Sequence, residues 1–194
     1  MGETKLSKIT QEDKYQIYIN EHIENVMRAW YNMKNIQPLK LIIIKIWDQN
    51  LSSMDLESVY NTTESNIQVH DASKRGPDEF DAYRKNFYPV DEKEKEDNLQ
   101  DFEKAWQHHY SNNMHHWDWW AESGNKENMP LSFVLEMCCD WIAMSMYYGT
   151  SDAIDWYKKN RRKIKLGKKQ KALVESILQL YYTYYDVKGT RIKD

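Results

Sequence analysis

Between Gln11 and Lys34 the apolar residues Tyr15, Tyr18, Ile19, Ile23, Val26, Trp30 and Met33 recur three and four positions apart. That spacing stacks them on one face of an α-helix and fits no strand, whose side chains alternate with period two. Glu12 and Asp13 near the start complement the helix dipole. The long amphipathic element needs partners for its apolar face, so the chain is expected to be built by packing helix on helix.

The rest of the chain repeats the pattern. Pro38 interrupts it, and Leu39 to Trp47 is an apolar run whose period does not distinguish helix from strand; a short buried helix is expected. One helix is expected from near Ser53, and another from about Thr63 to Ala72. Gly76 and Pro77 mark a break, and Pro77-Asp78-Glu79 suits the first turn of a helix carrying Phe80, Tyr83, Arg84 and Phe87 until Pro89. Further helices are expected over Glu92 to Tyr110, Pro130 to about Tyr148, Ser151 to about Asn160 and Lys168 to Tyr185. The predicted fold class is all-α, a helical bundle forming one compact domain over residues 1–194. The motif-bearing core spans about 11–148 and the C-terminal helices about 151–185. A chain of 194 residues can bury such a core without disulfides.

Composition excludes several alternatives. The most apolar stretch, Leu41 to Trp47, is short and contains Lys45, so a membrane span is not expected. Met1 to Lys8 is charged and lacks the apolar centre of a secretory signal. The two cysteines, Cys138 and Cys139, are adjacent within an apolar run, where a helix turns them apart, so both are expected reduced. These features predict a cytoplasmic protein. An acidic stretch from Asp91 to Glu103 and a basic one from Lys158 to Lys171 read first as solvated faces. Nine of the fourteen residues in the second are Lys or Arg, so it could also meet the phosphates of a nucleic acid.

The chemistry lies in the histidines. All six fall in one series: His22, His70 beside Asp71, His108-His109 and His115-His116. His22 shares the apolar face of the first helix, four residues from Tyr18 and Val26. Asp140 follows on a helix nearly free of charge, on the face of Phe133, Glu136, Met137 and Met144, and a buried carboxylate needs a compensating partner. His109 follows Phe102 by seven and Ala105 by four and faces inward; His108 follows Lys104 and Asp101 and faces outward. His116, seven after His109, is preferred over His115, although the local structure there leaves both open. Imidazole and carboxylate together suit borderline divalent ions, and an aspartate can bridge two of them.

The ordered set His22, His70-Asp71 and Asp140 resembles the H, HD and D motifs of the His-Asp (HD) superfamily of helical, metal-dependent phosphohydrolases. His70-Asp71-Ala72-Ser73-Lys74 is similar to the His-Asp-x-Gly-Lys form of its cyclic-dinucleotide phosphodiesterase branch, with Ser73 in place of glycine, though that branch's Gly-Tyr-Pro extension is absent. More closely, this pentapeptide, the run Tyr83 to Pro89 and the two His-His pairs before Trp117 resemble a small uncharacterised family of HD-like proteins from bacteria and phages.

The resemblance implies one or two divalent ions (Mn, Fe, Co, Ni, Zn or Mg) held by His22, His70, Asp71, His109, His116 and Asp140. It implies hydrolysis of a nucleotide or related phosphoester, with Asp71 and Lys74 in catalysis and Lys74, Arg75 and Arg84 meeting phosphate oxygens. The indole rings of Trp117, Trp119 and Trp120 either stack a nucleobase or pack in the core. The competing expectation is an HD-fold protein that binds nucleotide or nucleic acid through Lys158 to Lys171 without turnover.

Overall fold

In the computed structural model, which describes residues 9–192, the periodic segments fold as helices. These are α1 (Gln11–Lys34), α2 (Leu39–Ile46), α3 (Ser53–Gln68), α4 (Phe80–Phe87), α5 (Glu92–Asp97), α6 (Leu99–Asn112), α7 (Trp117–Glu122), α8 (Leu131–Tyr148), α9 (Ala153–Asn160) and α10 (Lys168–Tyr184). Two 3-10 turns, Ala72–Arg75 and Lys126–Asn128, complete the set. The protein is an all-α helical bundle. Among the described residues no helix is long and apolar enough to cross a membrane.

Local chemistry sets the helix ends. Thr10 and Asp13 form a capping box at α1, and Ser52 and Asp55 form another at α3; each satisfies backbone N–H groups that have no partner within the helix. Pro130 precedes α8, and Gly149 closes it at φ 65°, where a Cβ would be strained and would meet the Lys188 side chain.

Helix α8 is the axis of the bundle: α1, α3, α9 and α10 all pack on it. Val134, Leu135, Cys138, Cys139, Ile142 and Ala143 are fully buried there, and both cysteines are free thiols. A second, smaller apolar cluster joins Tyr15 and Ile19 of α1 to Tyr83 of α4 and Ala105 of α6. On α1 the boundary between the clusters falls between Ile19 and Val26, and His22 occupies that interval. Polar chemistry is therefore inserted where two apolar cores meet.

Three expected elements differ. The segment from Ser53 to Gln68 is one continuous helix, and His70-Asp71 lies beyond its end in a tight turn rather than on a helix running to Ala72. Pro77 to Glu79 forms a turn, and α4 begins only at Phe80. The helix expected over Glu92 to Tyr110 is broken at Asn98, because the buried Asn98 amide donates to the Ala82 carbonyl at 2.8 Å and anchors the chain against α4. In α2, Leu39 and Ile43 are buried but Leu41 is exposed, so only one face is covered.

Candidate metal centre

Five segments converge at the seam between the two cores. Helix α1 brings His22; the turn after α3 brings His70 and Asp71; α6 brings His109; the loop before α7 brings His115 and His116; α8 brings Glu136 and Asp140. His22, His70, Asp71, His109, His115 and Glu136 are each no more than 3% exposed, and Asp140 keeps 14% of its side chain open. Asp71 is the one non-glycine among the described residues with a positive φ, at 55°. A left-handed aspartate costs about 1–2 kcal/mol relative to ordinary helical backbone. The kink it allows turns both of its oxygens into the cluster.

The geometry divides into two groups that share Asp71. On one side His22 Nε2 lies 3.4 Å from Asp71 Oδ2, 3.1 Å from Asp140 Oδ1 and 3.4 Å from His70 Nε2. His70 Nε2 is 3.6 Å from Asp71 Oδ2 and 3.8 Å from Asp140 Oδ1. On the other side Asp71 Oδ1 is 3.2 Å from His109 Nε2 and 3.7 Å from His115 Nε2, while His109 and His116 oppose their Nε2 atoms at 2.9 Å. Metal bonds of about 2.1 Å place tetrahedral ligands about 3.4 Å apart and adjacent octahedral ligands about 3.0 Å apart. The observed separations bracket both values.

Hydrogen bonding accounts for only part of this convergence. Asp71 Oδ1 and His115 Nε2 are buried without a hydrogen-bond partner, although they lie close together. A neutral His70 whose Nδ1–H goes to Glu136 aims a lone pair at His22 Nε2, whereas His22 Nδ1 is buried without a hydrogen-bond partner.

That far-side donation is present. His70 Nδ1 and His115 Nδ1 lie 2.9 and 3.1 Å from the same oxygen, Glu136 Oε1. Both histidines outweigh the burial that would raise the Glu136 carboxyl, holding its pKa down to about 2, so it is ionised and accepts from both rings. His109 Nδ1 makes the equivalent bond to Glu79 Oε2 at 2.8 Å. A carboxylate that accepts Nδ1–H fixes the tautomer, points Nε2 at the centre and raises its basicity as a ligand. His70, His115 and Glu136 also form a compact trio of their own. Because their mutual contacts already carry protons, this trio orients ligands and does not constitute a third ion site.

The charges reinforce the reading. Asp71, Asp140, Glu136 and Glu79 bring four carboxylates, and Lys74, at 2.6 Å from Asp71 Oδ2, brings one full positive charge. Burial opposes charging of His70, yet Asp71, Asp140 and Glu136 together push its pKa up to about 10; burial likewise opposes charging of His109, which Asp71 and Glu79 push upward. Burial also works against ionisation of Asp71 and Asp140, but adjacent histidines hold both well below the usual carboxylate range, helped by Lys74 for Asp71. Without an ion, the upward shifts of His70 and His109 favour protons there, which supply positive charge. A divalent cation would replace them. Desolvation, together with His115 and His109 alongside, keeps His116 well below its ordinary pKa and its lone pair free.

All six sequence-selected ligands, His22, His70, Asp71, His109, His116 and Asp140, meet here. His115, set aside in favour of His116, is present as well, because the loop before α7 lets consecutive residues face one centre. His108 points away, with 40% of its side chain exposed, and binds Glu79 and Asp78 at the edge. Glu79 and Glu136 had not been assigned this orienting role.

Among the expected phosphate contacts, Lys74 adjoins the centre, whereas Arg75 sits at the surface against Asn20 Oδ1. Arg84 requires correction. Its guanidinium is buried and pairs with both oxygens of Glu94 at 2.8 and 2.9 Å and with Asp81 at 3.2 Å, tying α4 to α5. The tryptophan cluster belongs to the core: Trp120 is buried and donates to the Met114 carbonyl, and Trp117 and Trp119 pack on the main apolar cluster. In the basic stretch Ile164, Leu166 and Gln170 are buried while the charged side chains lie at the surface or close to it.

Fold and site together define a helical protein with a buried His/Asp/Glu cluster whose side chains could hold a metal ion. The chain belongs to a family of unknown function (DUF5662), whose model matches residues 11–180 and so spans every residue of the centre. No curated protein and no solved structure matches it.

Proposed function

We propose that this protein is a divalent-metal-dependent phosphohydrolase, related to the HD superfamily, acting on a nucleotide or similar phosphoester. The observation that carries the reading is Asp71: its two oxygens face two different histidine groups, with His22, His70 and Asp140 on Oδ2 and His109, His115 and His116 about Oδ1. One carboxylate between two imidazole-rich sets is the donor pattern for a pair of borderline divalent ions. Such ions supply Lewis acidity toward phosphoryl oxygens and lower the pKa of water at neutral pH.

The chain's own groups do the rest. Glu136 and Glu79 hold three imidazoles with Nε2 inward, so the ligand set is pre-organised rather than assembled on binding. Lys74 stands beside Asp71 over the Tyr83 ring, where its ammonium can meet a phosphate oxygen as negative charge grows in the transition state. Asp140 is the most open of the acidic groups at the centre and marks the side from which substrate enters.

The test combines metal analysis with turnover. Two ions per chain, phosphate release from a nucleotide panel with Mn, Co, Ni, Zn or Mg, and loss of both in Asp71→Ala are the expected results. Absence of bound metal together with absence of metal-stimulated release would overturn the proposal.

A further inference from the structure

At the junction of α8 and α9 is a cavity of about 320 Å³ lined by Trp141, Met144, Ser145, Tyr148, Thr150, Ser151 and Trp156. Its position is tied to the centre by two contacts. Met144 lies one helical turn, about 6 Å, beyond Asp140 on the same face of α8. Tyr18 reaches from α1 to place its hydroxyl 3.7 Å from Met144 Sδ, and its ring lies stacked on His22 at 6.1 Å between centroids. One wall of the cavity is thus in contact with a residue that covers a candidate metal ligand.

Three aromatic side chains, Trp141, Tyr148 and Trp156, contribute to the lining. Trp141 is stacked on the buried Tyr157 at 5.8 Å, which fixes its plane, and Trp156 leans on it at 5.2 Å while remaining 43% exposed. Tyr148 is also exposed. Thr150 and Ser151 bring hydroxyls to the lining, while the buried Ser145 hydroxyl is taken up by Tyr182. An opening with flat apolar faces and polar edges is complementary to a heteroaromatic ring, which stacks through its faces and hydrogen-bonds through its rim. The volume lies at the small end of ligand pockets, enough for one ring system. A long acyl chain would leave the Thr150 and Ser151 hydroxyls at its rim unpaired.

We infer that this cavity is the base subsite of the enzyme: Trp141 and Trp156 receive the nucleobase of a nucleotide whose phosphate lies at the Asp71 centre. The inference rests on the phosphohydrolase reading for the phosphate end alone; the aromatic cavity stands on its own geometry. It assigns to the α8–α9 corner the role that the sequence had offered to Trp117, Trp119 and Trp120, which the core consumes.

Two measurements test it separately from catalysis and with it. Saturation-transfer NMR of the metal-free protein with adenosine, guanosine, cytidine and uridine should show transfer to base protons for at least one nucleoside. The transfer should be lost in Trp156→Ala and restored in Trp156→Phe. No transfer to any of them, or transfer unchanged in Trp156→Ala, would overturn the subsite whether or not the protein is an enzyme.

In the metal-loaded protein, the ratio of kcat/KM for nucleoside monophosphates to that for ribose 5-phosphate should fall about tenfold or more in Trp156→Ala, the range for losing one base stack. The fall should lie in KM. A ratio that does not change would sink the proposal; absence of turnover on every phosphate ester, with base transfer intact, would sink the hydrolase reading and leave the subsite standing.

Discussion

The most discriminating perturbation is Glu136→Gln. This residue is buried, keeps its shape on substitution and retains an oxygen where Oε1 now accepts from His70 and His115. What disappears is the charge. A hydrogen bond to an ionised group contributes about 1.5–3 kcal/mol and a neutral one about 0.5–1.5, so each of the two bonds weakens by about 1–1.5 kcal/mol. Since His70 serves the Oδ2 side of Asp71 and His115 the Oδ1 side, the loss is divided between both sites. At 1.4 kcal/mol per tenfold, each ion should bind about tenfold more weakly, at the lower end of the 10–100-fold range for such orienting partners.

One effect opposes this. Removing the carboxylate also lowers the His70 pKa, which reduces competition from protons. The field of a carboxylate acts on a dication about twice as strongly as on a proton, so the net change is still weaker binding. Competition titration against a chromophoric chelator at pH 8 resolves the two dissociation constants. Glu79→Gln is the control: it touches His109 but neither histidine on Glu136, and should weaken one site only. Unchanged affinities in Glu136→Gln alongside a lowered melting temperature would reduce Glu136 to a packing residue and refute the shared-carboxylate argument.

Other outcomes follow from the same geometry. His115→Ala should lower affinity for one ion by more than the upper, about 100-fold, limit of orienting changes, whereas His108→Ala should shift neither constant beyond about threefold; calorimetric titration with Mn distinguishes them. In the metal-free protein, His70 rises to about 10 on folding, so its stabilisation is full below about pH 6.5 and fades as pH climbs through 10. Glu136 falls to about 2, so its contribution is full above about pH 4.5 and fades as pH drops through 2. Melting temperatures in EDTA should therefore peak between about pH 4.5 and 6.5, and saturating Mn should flatten the alkaline side; an EDTA profile that rises steadily to pH 9 would contradict the charge assignment. Arg84→Ala should lower the melting temperature by about 2–4 °C while leaving metal stoichiometry intact, because its partners are Glu94 and Asp81.

How much of the site was legible depends on how local its signals were. His22 among Tyr18 and Val26, and Asp140 among Phe133 and Met137, are marked as inward-facing by spacing within a single helix. The same rule separates His109, which is buried, from His108, which reaches the surface. It had no purchase on His115 and His116, which lie in a loop where no period holds. Arg84 illustrates the converse failure. A basic residue near an HD pentapeptide is chemically suited to phosphate, but Glu94 is ten residues away and its bidentate pairing depends on how α5 folds back on α4.

The sequence alone therefore determined the all-helical class, the ordered supply of imidazole and carboxylate, and the helical faces on which most of them ride, because a 3.6-residue repeat is a short-range property of the chain. Tertiary structure decided the remainder. It put Glu136 between His70, 66 residues away, and His115, and it placed Glu79 against His109. It turned Asp71 into a left-handed conformation that presents one oxygen to each histidine group. The reason is physical: tautomer, orientation and shared charge are set by distances of about 3 Å between groups on different elements, and only the packing of α1, α6 and α8 around the two cores brings those groups within reach of one another.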